Sequence, residues 1–287
     1  MAELSTQQKE QFWQDGYLLI EEAVSAEQLA AMRADFAAWV EESRSHEKAY
    51  GETIDGRPRF DVEPGHSANR PALRRVASPA EVSESYLDVM RNADVGDYVA
   101  GLIGPNIKFH HGKINSKLPG AATEVKFHQD FPYEPHSNDD LITALIFVDE
   151  VTGENGPLEV LPGSHKGEIH TLWHNGVFTG AMDEQTVEEM RPKTVKCQGP
   201  AGSVCLMHTK LVHGSAPNLS EHPRTLFICV FCAEDAISLA PNPLPSVHDG
   251  EIIRGIRTGR VRCTPYEMEL PEMPKVASFF EQQAKAG

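Results

Sequence analysis

The stretch GSVCLMHTKLVHGSAPNLSEHPRTLFICVFC, residues 202–232, sets the fold class. Short apolar runs rich in β-branched and aromatic residues flank a polar turn around Pro217 to Pro223, so the stretch reads as two strands and their connection. The same texture runs back to Pro105 through NIKFHHGKINSKL, VKFHQDFPY, LITALIFVDEV and GPLEVLPGS, with Gly, Pro and Asn turns between. Short strands at this spacing predict a β-sandwich or barrel. Residues 166–196 interrupt the pattern.

N-terminal to this region the texture is mainly helical. Ser5 to Asp15 reads as a short helix, and GYLLIEEAV (Gly16 to Val24) as a buried strand. Ser25 caps an amphipathic helix to about Ser43, with Leu29, Met32, Phe36 and Val40 on one face. Residues 44–80, rich in charge, Gly and Pro, read as a long surface loop able to wall a substrate cleft. A further helix is expected from Ser83 to Ile103, before Gly104-Pro105. The tail after Ala236 is Pro-rich and ends in a short helix, SFFEQQAKA. A chain of 287 residues with 40% hydrophobic content can bury one large core. The expected organisation is one domain over 1–287, with a mainly helical part at 1–104, a β core at 105–236 and an extension at 237–287.

A formal net charge of −16, from 26 basic and 42 acidic residues, repels polyanions, so nucleic acid is an unexpected partner. The N-terminus lacks a basic segment followed by an apolar run, and no stretch reaches the ~18 apolar residues of a membrane span, so a cytoplasmic address is expected. Cys197, Cys205, Cys229, Cys232 and Cys263 make an odd number, which favours reduced thiols. Cys229 and Cys232 form a CxxC, but residues three apart on a strand point to opposite faces, which argues against a metal or redox motif.

In VKFHQDFPY, His128 and Asp130 are two apart in an extended segment, so both leave one face. His213 can add a third donor from a neighbouring strand. Two histidines and a carboxylate on one side of a metal form the facial triad of non-haem Fe(II) oxygenases. His208, five residues before His213, falls on the opposite strand face. Arg224 begins the return strand, and a turn over 216–223 sets Ser215 opposite it. A guanidinium with a hydroxyl beside it suits the distal carboxylate of a 2-oxoacid. His110, His111 and His165 read as structural or surface histidines.

The chain resembles the phytanoyl-CoA dioxygenase superfamily of Fe(II)/2-oxoglutarate oxygenases. FWQDGYLLIEEAVS, FHQD, ENGPLEVLPGSHKG and VHGSAPNLSEHPRTLF match that pattern in order, within residues 9 to 232. The resemblance implies a double-stranded β-helix, a jelly-roll or cupin-like barrel. It also implies iron on His128, Asp130 and His213, and 2-oxoglutarate on Arg224 and Ser215, with O2 as co-reactant. Asn115 and Thr143 are further candidates near the cosubstrate. Where several members carry a Trp on the strand after HxD, this chain aligns Ile146. Members that halogenate replace the metal carboxylate, and Asp130 is intact, which implies hydroxylation.

The substrate is expected to be a small polar molecule, zwitterionic or quaternary ammonium in character, for example an aminophosphonate or an ectoine-like compound. Tyr133, Phe131, Trp173 and Phe178 are candidate pocket residues, and a ring could face a zwitterion or quaternary ammonium group. Arg70, Arg74 or Arg75 could meet an anion. The segment 166–196, with Trp173, His174 and Phe178, is expected to lie over the barrel mouth as a lid. The alternatives are an oxygenase of acyl-CoAs or natural products, a barrel oxygenase or isomerase without cosubstrate, and a non-catalytic binding or sensing protein.

Overall fold

Two serines start the chain's first helices where expected. In the computed structural model, which describes residues 2–119, 121–272 and Gln283, Ser5 and Gln8 close a capping box at helix α1 (Thr6–Asp15). After strand β1 (Tyr17–Ile20), Ser25 and Gln28 do the same for α2 (Ala26–Ser43). The stretch 44–80 is less irregular than expected, because it carries β2 (Phe60–Val62) and β3 (Leu73–Ala77).

The helix expected over 83–103 is two: α3 (Glu84–Asn92) and α4 (Val95–Ile103). Ala93 is extended between them, and the Arg254 guanidinium donates to the carbonyls of Arg91 and Ala93 at 2.8 and 3.1 Å. A cation from the C-terminal region thus satisfies carbonyls that a helix break would orphan. There follow β4 (Ile107–Lys117), β5 (Val125–His128), β6 (Leu141–Phe147), β7 (Leu158–Val160), β8 (Trp173–His174), β9 (Val177–Phe178), α5 (Glu184–Met190), β10 (Val195–Cys197), β11 (Val204–His208), β12 (His213–Ser215), β13 (Arg224–Ala233) and β14 (Ile252–Arg254). The helix expected at 278–286 falls outside the described residues except for Gln283.

The strands form two facing antiparallel sheets. The larger runs β1-β11-β6-β13-β4-β3-β2, with β14 also on β4; the smaller runs β10-β7-β12-β5. This is the expected jelly roll, extended by strands from both flanking regions. Residues 202–232 therefore do not form one hairpin, since β12 pairs with β5 and β7 while β13 pairs with β4 and β6. The turn after Ser215 crosses from one sheet to the other.

Alternation along the large sheet separates two interiors. Ile142, Ala144, Ile146, Phe227, Cys229 and Phe231 face the layer of α1 to α4 with Phe12, Met32, Tyr86 and Val99. Leu145, Leu158, Met207, Leu226 and Ile228 pack between the sheets. Ile146 is thus in the outer layer and does not stand in for a pocket Trp. Cys229 and Cys232 belong to different clusters, and all five cysteines are free. No helix among the described residues is long and apolar enough to cross a membrane.

Phe227 is fully buried, with its ring 4.9 Å edge-on from Tyr86, and it fastens the helical layer to the sheet. Phe227→Ala should cost about 3–5 kcal/mol in urea unfolding. A loss below about 1 kcal/mol would show that this layer does not hold the sheet.

Candidate active site

His128 and His213 are direct cross-strand partners between β5 and β12. Each Nδ1 faces a backbone carbonyl two residues earlier, Lys126 at 2.8 Å and Leu211 at 2.9 Å, and so carries the proton. Both Nε2 lone pairs then point toward Asp130 Oδ1, at 3.4 Å from His128 and 3.6 Å from His213. Asp130 is not in the strand, as its spacing suggested. β5 ends at His128, and Asp130 takes helical backbone angles (φ −73, ψ −37) at the head of a 3-10 turn over Phe131–Tyr133. Between them Gln129 turns away, binding the Lys210 carbonyl and the His170 amide. Thr143, expected beside the cosubstrate, donates its hydroxyl to Asp130 Oδ2 at 2.7 Å.

This donor set fits a divalent cation: one anionic oxygen and two neutral imidazole nitrogens converge with no proton between them. Burial, then the charge of His128, pushes His213 down to about 4. Burial raises the Asp130 carboxyl, but His213 and His128 more than offset it and hold it well below the usual carboxylate range. His208 lies elsewhere, 5.2 Å ring to ring from His165 and 6.1 Å from Trp13, where the PGSHK turn meets the end of α1.

The triad opens into a pocket between the sheets. Arg224 enters it from β13; its Nε donates to the Gly156 carbonyl at 3.0 Å, and its terminal nitrogens have no protein partner among the described residues. Gly156 is left-handed (φ 78), and a Cβ there would stand 2.6 Å from the Ala216 carbonyl, so the turn of ENGP needs glycine. Ser215 and Arg224 are not neighbours in register, since Arg224 faces Lys117 of β4. Lys117 is the pocket residue beside Arg224 that the sequence alone did not single out. Its Nζ bonds Ser215 Oγ at 2.7 Å, the Ser215 carbonyl at 3.2 Å and the Ala216 carbonyl, joining the sheets beside Arg224. Burial, then the charge of Arg224, pushes it down to about 6. The period-2 run His111, Lys113, Asn115, Lys117 could have marked it.

Of the aromatic residues expected at the substrate, Tyr133 alone among the described residues lines the pocket, and of the three arginines Arg75 does. Phe131 is fully buried against Leu141, Cys232 and Tyr266. Trp173 and Phe178 pack in a separate cluster with Leu172 and Met182, and Tyr133 reaches it through a 2.5 Å bond to the Gly180 carbonyl. The segment 166–196 supplies no lining residue, so the expected lid braces the outside of β5 instead. The wall comes from 44–80 and the tail: Arg57, Arg75, Pro243 and Leu244 line the pocket, and Arg57 binds the Pro243 carbonyl at 2.6 Å. Arg74 pairs with Asp61 and Arg70 is exposed, so neither takes part.

A jelly roll with a buried cluster of two histidines and one carboxylate beside a partly unpaired arginine defines a class of non-haem iron oxygenase. Comparison with known proteins makes this specific: the profile of the family described as Phytanoyl-CoA dioxygenase (PhyH) matches residues 12–226. The chain belongs to this family of Fe(II)- and 2-oxoglutarate-dependent oxygenases. It is 32% identical over 269 residues to a probable alpha-ketoglutarate-dependent hypophosphite dioxygenase of Stutzerimonas stutzeri, covering 92% of this chain and 90% of that protein. It is 28% identical over 256 residues to the ectoine dioxygenase of Sphingopyxis alaskensis, covering 81% and 77%. The crystal structure of EctD from S. alaskensis with bound Fe superposes with a TM-score of 0.65 at 24% identity, covering 91% and 88%, a likeness of fold.

His128→Ala, Asp130→Ala and His213→Ala should each weaken Fe(II) binding at least about tenfold, while His208→Ala retains it. Anaerobic equilibrium dialysis measures this. An equal loss in folded His208→Ala would reassign the third donor.

Proposed function

We propose that the chain is a 2-oxoglutarate-dependent dioxygenase that hydroxylates a small, polar, anion-bearing substrate. One observation carries this reading: the donor triad opens onto a pocket with basic groups at two separate stations. Lys117 and Arg224 mark the first, and Lys113 lies four residues along β4, about 13 Å away. Arg75, in register with Asn115, joins the second.

His128, Asp130 and His213 would hold Fe(II), which with 2-oxoglutarate supplies oxidation of an unactivated bond by O2, releasing succinate and CO2. Thr143 fixes the Asp130 carboxylate so that Oδ1 faces the metal position. Arg224 offers its terminal nitrogens to the distal carboxylate of 2-oxoglutarate, and Ser215 Oγ, accepting from Lys117, directs its own hydrogen the same way. Asn115, whose Oδ1 is buried without a hydrogen-bond partner, faces the interval between the stations.

The substrate class follows from charge. Arg57, Arg75, Lys113, Lys117 and Arg224 face Asp130 and Glu134 in the pocket, in a chain of net charge −16. Iron adds positive charge and the cosubstrate cancels it, so basic residues still outnumber acidic ones in the lining, which favours a second anion. Among the described residues Tyr133 is the single Phe, Tyr or Trp lining the pocket, too few for a cage around a quaternary ammonium ion. The likeness to a hypophosphite dioxygenase agrees, and small phosphorus oxyanions or phosphonates, aminophosphonates included, are the compounds to test. We propose one oxygenase domain over 1–287. We further propose a cytoplasmic address, supported by the five free thiols, with small molecules rather than nucleic acid or membrane as partners.

Succinate release across hypophosphite, phosphonates and ectoine tests the class. Oxyanions should stimulate it, and Arg75→Met should raise the substrate KM about 10- to 100-fold with little effect on 2-oxoglutarate, as expected for losing a charge-assisted bond of about 1.5–3 kcal/mol. Stimulation by cationic or neutral compounds alone would refute the anion assignment.

Lys117 gives a separate prediction. Its ammonium, depressed to about 6 by burial, is favoured once a dianion lies beside it, so binding of 2-oxoglutarate near pH 7.5 should take up protons. Affinity should therefore fall as pH rises above about 6. Calorimetry in buffers of different ionisation enthalpy reads the uptake, and Lys117→Met should abolish it. Equal uptake in that variant would clear Lys117 of the role.

A further inference from the structure

A second group of metal-ligating side chains converges among the described residues: His110, His111 and Glu134. Consecutive residues of a strand point to opposite faces, so two adjacent histidines reaching one carboxylate need an explanation. It lies in the pairing of β4 with β13. His111 faces Val230 and Phe109 faces Phe231, which leaves His110 as the extra residue of a β-bulge. The parity of the strand confirms it. Ile114 belongs to the helix-facing layer, and so do Phe109 and Ile107, which an unbroken alternation would turn inward. The bulge thus aims both imidazoles into the barrel.

There, His110 Nε2 stands 3.4 Å and His111 Nδ1 3.3 Å from Glu134 Oε2. A tetrahedral zinc centre with bonds of about 2.0–2.1 Å sets neighbouring donors about 3.3–3.4 Å apart. All three residues are at most 4% exposed, and these three atoms have no hydrogen-bond partner of acceptable geometry. The far nitrogen of His110 is also placed as a ligand's would be. Its Nδ1 faces Asp249 Oδ1 at 3.4 Å, and Asn242 holds the other Asp249 oxygen at 3.0 Å. A carboxylate behind a histidine is the usual outer support of a metal ligand.

We propose that His110, His111 and Glu134 form a second divalent-cation site of the zinc type, distinct from the Asp130 triad. His111 and Glu134 line the pocket, so the fourth position opens to it and accepts a small anion. The competing arrangement satisfies Glu134 without metal, through Lys113, which follows His111 by two residues on the same strand face. The two readings differ in stoichiometry.

Metal-free full-length protein titrated with Co(II) should bind two ions per chain, one with the visible bands of a tetrahedral centre. The double variant His128→Ala/Asp130→Ala should keep that ion, and added azide should shift its bands. Glu134→Gln should abolish it, Asp249→Asn should weaken it about 10- to 100-fold, and Lys113→Met should leave it bound. One ion per chain in the wild type, lost from the double variant and unaffected by Glu134→Gln, would overturn the site. So would loss of the tetrahedral ion in Lys113→Met. If the double variant does not fold, the change from two ions to one in Glu134→Gln decides alone.

Discussion

The Nδ1–H bonds of His128 and His213 to the carbonyls two residues behind them are the contacts on which the site depends. They set each tautomer and turn each Nε2 inward. Because the two residues are cross-strand partners, the spacing of the lone pairs is fixed by sheet geometry rather than by side-chain freedom. Asp130 can join only by leaving the strand, and its helical backbone angles do this while Gln129 ties the exit to the Lys210 and Glu168 carbonyls. The triad is therefore a product of strand pairing plus one well-anchored turn.

Placing charge between two sheets sets the energetic problem. An isolated buried ion loses several kcal/mol of solvation, and partners must restore it. Among the described residues Lys117 meets three oxygens, but the Arg224 guanidinium has one protein bond. Burial pushes both below their ordinary values, Lys117 to about 6 and Arg224 to about 10. A cavity so arranged would be stabilised by an anion that completes it, and on the proposed assignment that anion is the cosubstrate.

The β-rich core, the first two helices and the set His128, Asp130, His213 and Arg224 were legible because each rests on a local pattern: strand texture, a capping serine, a short motif. What depends on register was not. Ser215 was expected opposite Arg224, whereas the chain changes sheets between them and Lys117 supplies the link. β2 and β3 hid in a charged stretch because pairing makes them strands rather than their own propensity: β3 adds to β4, and β2 adds to β3. The large aromatics of 166–196 looked like pocket residues, yet their partners are one another and β5. Composition cannot tell a ring that faces substrate from one that braces the wall.

The two stations of the pocket are built from different material, and this bears on how such a barrel accommodates different substrates. The Arg224 station is wired into turns that hold the sheets together: Gly156 accepts from Arg224, Lys117 spans to Ser215 and Ala216, and Asn218 binds the Lys117 carbonyl. A substitution there disturbs closure as well as binding, as the 2.6 Å approach of a Cβ at Gly156 to the Ala216 carbonyl shows. The Arg75 station is walled by loop and tail, through Arg57, Pro243 and Leu244, and no sheet register depends on those three. Changes in those three side chains would alter what the pocket holds at little expense to the fold, so on the proposed assignment the cosubstrate would be held by the scaffold, while the substrate would meet loop and tail as well as β4.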